Sequence, residues 1–211
     1  MRGYIRFTIL GHIGLEPRIK TYSELEARAS DIIKSMNVDI RLAKESDLQE
    51  YTKLLQHTYQ TAYTNENIGI TPQCFSEEIF NSPHTRTYLA SNLVNNDKQR
   101  CWLAFDNKKL VGSISIIERE NDYELRGFYV ASEYQGKGIG KKLWQLVLGF
   151  VKNIDITCDI YTHNKKSIEM YKKWGFEIDT ARGEFYRHWP EWPEGVQAKC
   201  IYMRYKITNI R

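Results

Sequence analysis

Between Gln135 and Gly140 the chain reads Gln-Gly-Lys-Gly-Ile-Gly, followed at once by Lys141 and Lys142, with no acidic residue between Tyr134 and Val151. Each glycine costs about 0.5–1 kcal/mol against alanine in a regular element, so bare backbone has a purpose here. A glycine-rich turn that runs into a helix presents free N–H groups and the positive end of the helix dipole, and together these bind phosphate. A Walker loop would place glycine at Gln135 and a hydroxyl residue at Lys142, and a dinucleotide fingerprint would need a third glycine at Lys141 or Leu143. Neither pattern fits. A plain left-handed turn would account for the glycines, but not for Lys137, Lys141 and Lys142.

A second stretch, "NKKSIEMYKKWGF" over 164–176, holds a tyrosine in a short basic helix. Asn164 is a good N-cap residue, and Tyr171 could simply face the core with Ile168 and Trp174.

The elements that position these residues read as a mixed α/β chain. Residues 1–37 form an N-terminal extension, with a short strand at 4–10 and a helix capped by Ser23 and Glu26. A strand over 38–43 precedes a helix whose Leu48, Tyr51, Leu55 and Tyr59 recur at helical spacing. A short helix around 75–80 leads to a polar loop through Pro83. Runs at 101–106, 109–118 and 123–130 with short turns between them predict an antiparallel meander. Ile139, Leu143, Leu146, Val147 and Phe150 mark one face of the helix after the glycine run. A strand over 154–162, a helix ending at Trp174 with Gly175 as its cap, and strands at 176–179 and 199–207 complete the domain of residues 38–211. A long aromatic loop with Tyr186, Trp189 and Trp192 separates the last two strands.

With one strand between them, the two motifs resemble the GNAT superfamily of acetyl-CoA-dependent N-acetyltransferases. Gln135–Gly140 is similar to its Q-x-x-G-x-G pyrophosphate loop, "ELRGFYVASEY" to its fourth strand, and 164–176 to its N-x-x-A/S-x-x-x-Y-x-x-x-G-F helix. The resemblance covers about residues 38–207. It implies an α/β fold with a mostly antiparallel central sheet, flanked by helices and splayed between the fourth and fifth strands. It also implies acetyl transfer from acetyl-CoA, as co-substrate without a metal, to a primary amine by direct attack in a ternary complex.

That chemistry assigns roles. An alkylamine with a pKa near 10.4 is only ~0.1% neutral at pH 7, so a base helps. The candidate is Glu124, directly or through a water, although it could be only a strand-end charge; Glu118 and Glu120 are weaker candidates. The thioester oxygen gains charge during attack, and a backbone N–H from Phe128, Tyr129 or Val130 would stabilise it, with Gly127 marking a bulge that opens the strand. The leaving thiolate, with a thiol pKa of roughly 8.5, needs only moderate help from a general acid, which the resemblance makes Tyr171. Gln135, Gly136, Lys137, Gly138, Ile139, Gly140 and Lys141 would hold the pyrophosphate and ribose phosphate; Asn164, Ser167 and Tyr171 would contact the remaining arm.

The acceptor would meet residues 57–72 and 182–199. Trp189 and Trp192 beside Glu184, Glu191 and Glu194 could wall a cationic amine, whether a small molecule or a peptide. The same loop could instead cover a sheet edge or pack a homodimer. A CoA-binding regulatory module and an acetyltransferase acting on aminoacyl-tRNA stand as alternatives; thiol release across an amine panel, and salt-steep RNA binding, separate them.

Composition sets the outer bounds. The 211 residues suit one domain with an appendage, and 42% hydrophobic with 27% charged content describes a folded chain. Thirty Lys and Arg against 26 Asp and Glu give +4, which suits an anionic ligand without indicating nucleic acid. Cys74, Cys101, Cys158 and Cys200 are scattered without metal-ligand spacing, and so read as buried thiols of a reducing compartment. No apolar run approaches the ~20 residues of a membrane span, and the apolar start is broken by Thr8, Gly11, His12 and Gly14; a cytoplasmic protein is expected.

Overall fold

The computed structural model describes residues 38–207, so the strand and helix expected over 1–37 lie outside the described residues. Strand β1 (Val38–Leu42) is followed by helix α1 (Leu48–Tyr63), short α2 (Glu77–Phe80) and α3 (Pro83–Asn92). The meander β2 (Gln99–Asp106), β3 (Lys109–Glu118) and β4 (Tyr123–Val130) leads through the glycine run into α4 (Ile139–Phe150). Strand β5 (Ile156–Tyr161), helix α5 (Lys165–Lys173) and strands β6 (Phe176–Ile178), β7 (Glu184–Arg187) and β8 (Ala198–Tyr205) finish the chain. The sheet order is β1-β2-β3-β4-β5-β8-β6, with β7 also on β8. Every pairing is antiparallel except β4 with β5.

Tyr51, Leu54, Leu55 and Tyr59 bury one face of α1 against the sheet, as their spacing requires. Together with Phe75, Leu103 and Trp192 they make the core on one face; Ile114, Leu143, Val147, Ile156 and Met203 make the core on the other, beneath α4 and α5. Two expectations change. The polar loop through Pro83 is the start of α3: Ser82 accepts the Thr85 N–H, and Pro83 occupies the first turn, where a missing N–H costs nothing. The helix buries only Thr85, Leu89 and Asn92, which is too little apolar surface to reveal a period. The long aromatic loop contains β7, which pairs with residues 198–201 while β6 pairs with 203–205, so two short strands share one edge of β8. On α4, Leu146 is 37% exposed and Trp144 is buried in its stead against Trp174, Phe176 and Tyr205.

The site is shaped by how β4 leaves its neighbours. Toward β3 its register shifts between Leu125 and Gly127, so Arg126 is the extra residue of a bulge. Toward β5 it pairs only at Tyr123 with Ile156 and Glu124 with Thr157, and beyond them the strands part. A charged cluster closes the vertex of this wedge. Arg182 binds Asp122 and donates to Thr157 Oγ1 at 3.2 Å, and Arg204 reaches Asp179 at 2.8 Å and Asp155 at 3.3 Å.

Candidate active site

The parted strands enclose a cavity of about 250 Å³. Its walls come from α1 (Tyr59, Tyr63), α3 (His84, Tyr88), the open stretch of β4, β5 (Cys158 to Tyr161), α5 (Ser167, Met170, Tyr171), and Arg187 and Trp189. The glycine loop follows the open end of β4. Gly136 and Gly138 have φ of 74° and 81°, left-handed values at which a side chain is strained. Gly140 serves close approach instead: a Cβ there would sit 3.1 Å from the Phe128 ring. The first hydrogen bond of α4 runs from Lys142 N–H to Gly138 O at 3.1 Å. Among the described residues, the amides of Ile139, Gly140 and Lys141 therefore meet no backbone acceptor, and the helix's positive end is presented outward. Lys137 stands 4.9 Å from the Tyr134 ring centre, and Lys141 and Lys142 sit in a first turn with no acidic residue. A diphosphate suits this loop; among the described residues no cluster of three or more His, Cys, Asp or Glu suits a metal.

The remaining predicted residues fall in several places. Gln135 is a strap: its Nε2–H donates to Val130 O at 3.0 Å and its Oε1 accepts from Lys166 at 2.9 Å, tying the loop to β4 and α5. Ala131 N–H bonds Val111 O, so by ladder alternation the Tyr129 amide also turns toward β3, while those of Phe128 and Val130 face the parted side. The Tyr129 side chain instead crosses to α1, its hydroxyl 2.8 Å from that of Tyr59. Asn164 caps α5, its Oδ1 accepting the Ser167 N–H at 3.2 Å. Ser167 and Tyr171 line the cavity. Burial pushes the Tyr171 hydroxyl well above the ordinary tyrosine range, with the neighbouring Cys158 adding to the effect. Glu124 lies at the narrow end, its Oε2 accepting from Arg119 Nε at 2.7 Å. Glu118 turns away to Tyr123 and Lys152.

The acidic aromatic wall does not assemble. Trp192 is core, donating to Cys74 O at 3.1 Å, and Glu184 pairs with Lys199. Glu191 accepts from Ser82 and Thr85 and meets His84, which fastens the loop to the start of α3. Only Trp189 of this group reaches the cavity, its Nε1–H on the Tyr161 hydroxyl at 3.0 Å. Sequence reading missed the residues between: Arg126, Asp159 and Arg187. Asp159 accepts from Arg187 Nη1 at 2.7 Å, and burial of Arg187 is outweighed by that carboxylate, which raises its pKa. Alternation along β5 was the available signal, since it puts Asp159 on the face opposite Cys158 and Ile160. All four cysteines are free and buried, and no helix among the described residues is long and apolar enough to cross a membrane.

Comparison with known proteins agrees with this geometry. The chain is 25% identical over 154 residues to a spermidine N(1)-acetyltransferase of Thermoplasma acidophilum, covering 70% of this chain and 93% of that one. It is 30% identical over 66 residues to the N-alpha-acetyltransferase RimI of Mycobacterium tuberculosis, covering 31% and 42% of the two chains. The crystal structure of the PaiA N-acetyltransferase of Thermoplasma acidophilum in complex with coenzyme A superposes with a TM-score of 0.61 at 19% identity, over 81% of this chain and 99% of that one. The model of the acetyltransferase (GNAT) family matches residues 53–176, more than half of the sequence. A glycine loop of free amides beside a parted strand pair, matched over that span, makes this chain a member of the GNAT family of acetyl-CoA-dependent N-acetyltransferases.

Proposed function

We propose that the protein transfers an acetyl group from acetyl-CoA to a small primary amine by direct attack, with both substrates held at once between β4 and β5. The observation that carries this reading is the wedge itself: two residue pairs, then an opening whose β4 wall leads into amides at the start of α4 that, among the described residues, meet no backbone acceptor. Acetyl-CoA supplies an activated acyl thioester. The amides of Ile139 to Lys141, with Lys137 and Lys141, hold its diphosphate, and Ser167 lies along its arm. The backbone N–H of Phe128 or Val130 meets the oxygen on which charge develops.

Direct attack is favoured over a covalent relay because the only thiol in the cavity, Cys158, is buried and pushed far above its usual range. It therefore stays an S–H and is a poor nucleophile. Tyr171, whose proton is retained through neutral pH, is the acid for the departing thiolate. Glu124 takes the amine proton through a water, from the narrow end of the cavity.

The test is isothermal calorimetry with acetyl-CoA on the wild type and Gly138→Glu. The substitution puts bulk and negative charge at a left-handed position in front of the helix dipole. We expect binding to vanish while the circular dichroism spectrum stays that of a folded protein. Undiminished affinity in the variant would reject the proposed diphosphate site.

A further inference from the structure

Among the described residues, the cavity walls contain one cation whose charge is not balanced. Glu124 is matched by Arg119, Asp159 by Arg187, and Glu191 meets His84. Arg126 also lines the cavity, yet among the described residues it has no carboxylate partner; its guanidinium lies 5.2 Å from the Tyr88 ring centre and gives one N–H to Ser91 Oγ at 3.2 Å. A guanidinium carries five N–H donors in a planar fork, so most of this one is unspent. Its placement is not accidental: Arg126 is the extra residue of the β4 bulge, which turns the side chain toward α3. The Tyr88 ring lies under the guanidinium as its cation–π partner.

We infer that Arg126 receives a carboxylate on the acceptor, so that the substrate is a small zwitterionic amine of the amino-acid class rather than a polycation. This rests on the transferase reading above. A polycation would place further positive charge beside Arg126, and the acidic wall that would have welcomed it is engaged elsewhere. A planar carboxylate matches the fork and neutralises the cavity. The space of about 250 Å³, bounded by Trp189 and α3, suits a small acceptor better than a chain.

The experiment compares kcat/KM for amines that differ only in carrying a carboxylate, its carboxamide or a phosphonate, at equal free-amine concentration, with spermidine as the polycationic arm. For the wild type we expect the carboxylate to exceed the carboxamide by about tenfold or more, as a charge-assisted bond to arginine implies. In Arg126→Gln that ratio should fall towards one, with Arg126→Lys between. Equal rates, no turnover of either member, or preference for the carboxamide or spermidine would overturn the inference; preference for the phosphonate would overturn the carboxylate assignment. Calorimetry with acetyl-CoA is read separately. Intact binding with the wrong acceptor preference removes only this inference, whereas absent binding removes the transferase reading too.

Discussion

Tyr171 belongs at once to the core and to the cavity wall. It packs edge-on against Phe176 at 5.0 Å, as a buried tyrosine ordinarily does, yet it also lines the cavity. Because burial raises its pKa, the phenol stays protonated as pH rises, and it should impose no descending limb on the rate profile at or below about pH 10. Tyr171→Phe should lower kcat by about 10²-fold, the lower range for a general acid, because a thiolate leaves tolerably without one. Steady-state thiol release checks this, and calorimetry should show acetyl-CoA binding retained. Loss of binding instead would make the tyrosine a packing residue. The glycine loop and the Asn164 cap were legible from residue types, whereas Tyr171 was singled out only by the family resemblance. Arg126 was not legible, because Gly127 pointed to a bulge without showing which neighbour would be the extra residue and so which side chain would turn to the cleft.

Among the elements, β4 holds the most consequential irregularity, and Gly127 permits it. A Cβ at Gly127 would lie 2.6 Å from the Tyr129 ring, which folds back over the strand so that its hydroxyl meets Tyr59. This hydroxyl pair fastens α1 to the opened strand. Gly127→Ala must displace a buried ring and should destabilise the fold by about 1–3 kcal/mol. In Tyr129→Leu the obstacle is gone, so the same alanine should cost much less. Urea denaturation of the four proteins measures that coupling, and additive effects would contradict it. Elements with strong periods, such as α1, α4 and the meander, could be read before the fold was seen. Helix α3 and strand β7 could not: the first buries too few apolar residues, and the second is a four-residue edge whose Phe185 and Arg187 are only half-buried.

At the scale of the molecule, the wedge is open on one side because it is clamped on the other. Asp179 is buried, which opposes ionisation, but its hydrogen bond and charge contact with Arg204 and the Arg182 N–H prevail and hold its pKa low. A carboxylate depressed in the folded state contributes stability above its unfolded value, about 3.9, and loses it as pH falls from there through the folded value. Acid should therefore weaken the clamp below about pH 4. Asp179→Asn should be less stable at neutral pH by about 1–3 kcal/mol and show a shallower loss on acidification. Thermal melts between pH 3 and 7 test this, and parallel curves for the two proteins would refute the assignment. The clamp escaped sequence reading because its acids and bases come from four separated segments that only the sheet order brings together.

The wedge also has leverage. From Glu124 to Phe128 the strand runs about 13 Å, at roughly 3.3 Å per residue. A swing of about 5° at the clamped end displaces the far end by about 1 Å, and a misplacement of that size can slow a reaction about 10²-fold. Under the proposed function, charges outside the cavity set the fulcrum of this opening, and exchanging them offers a way to retune turnover while every residue lining the cavity keeps its identity.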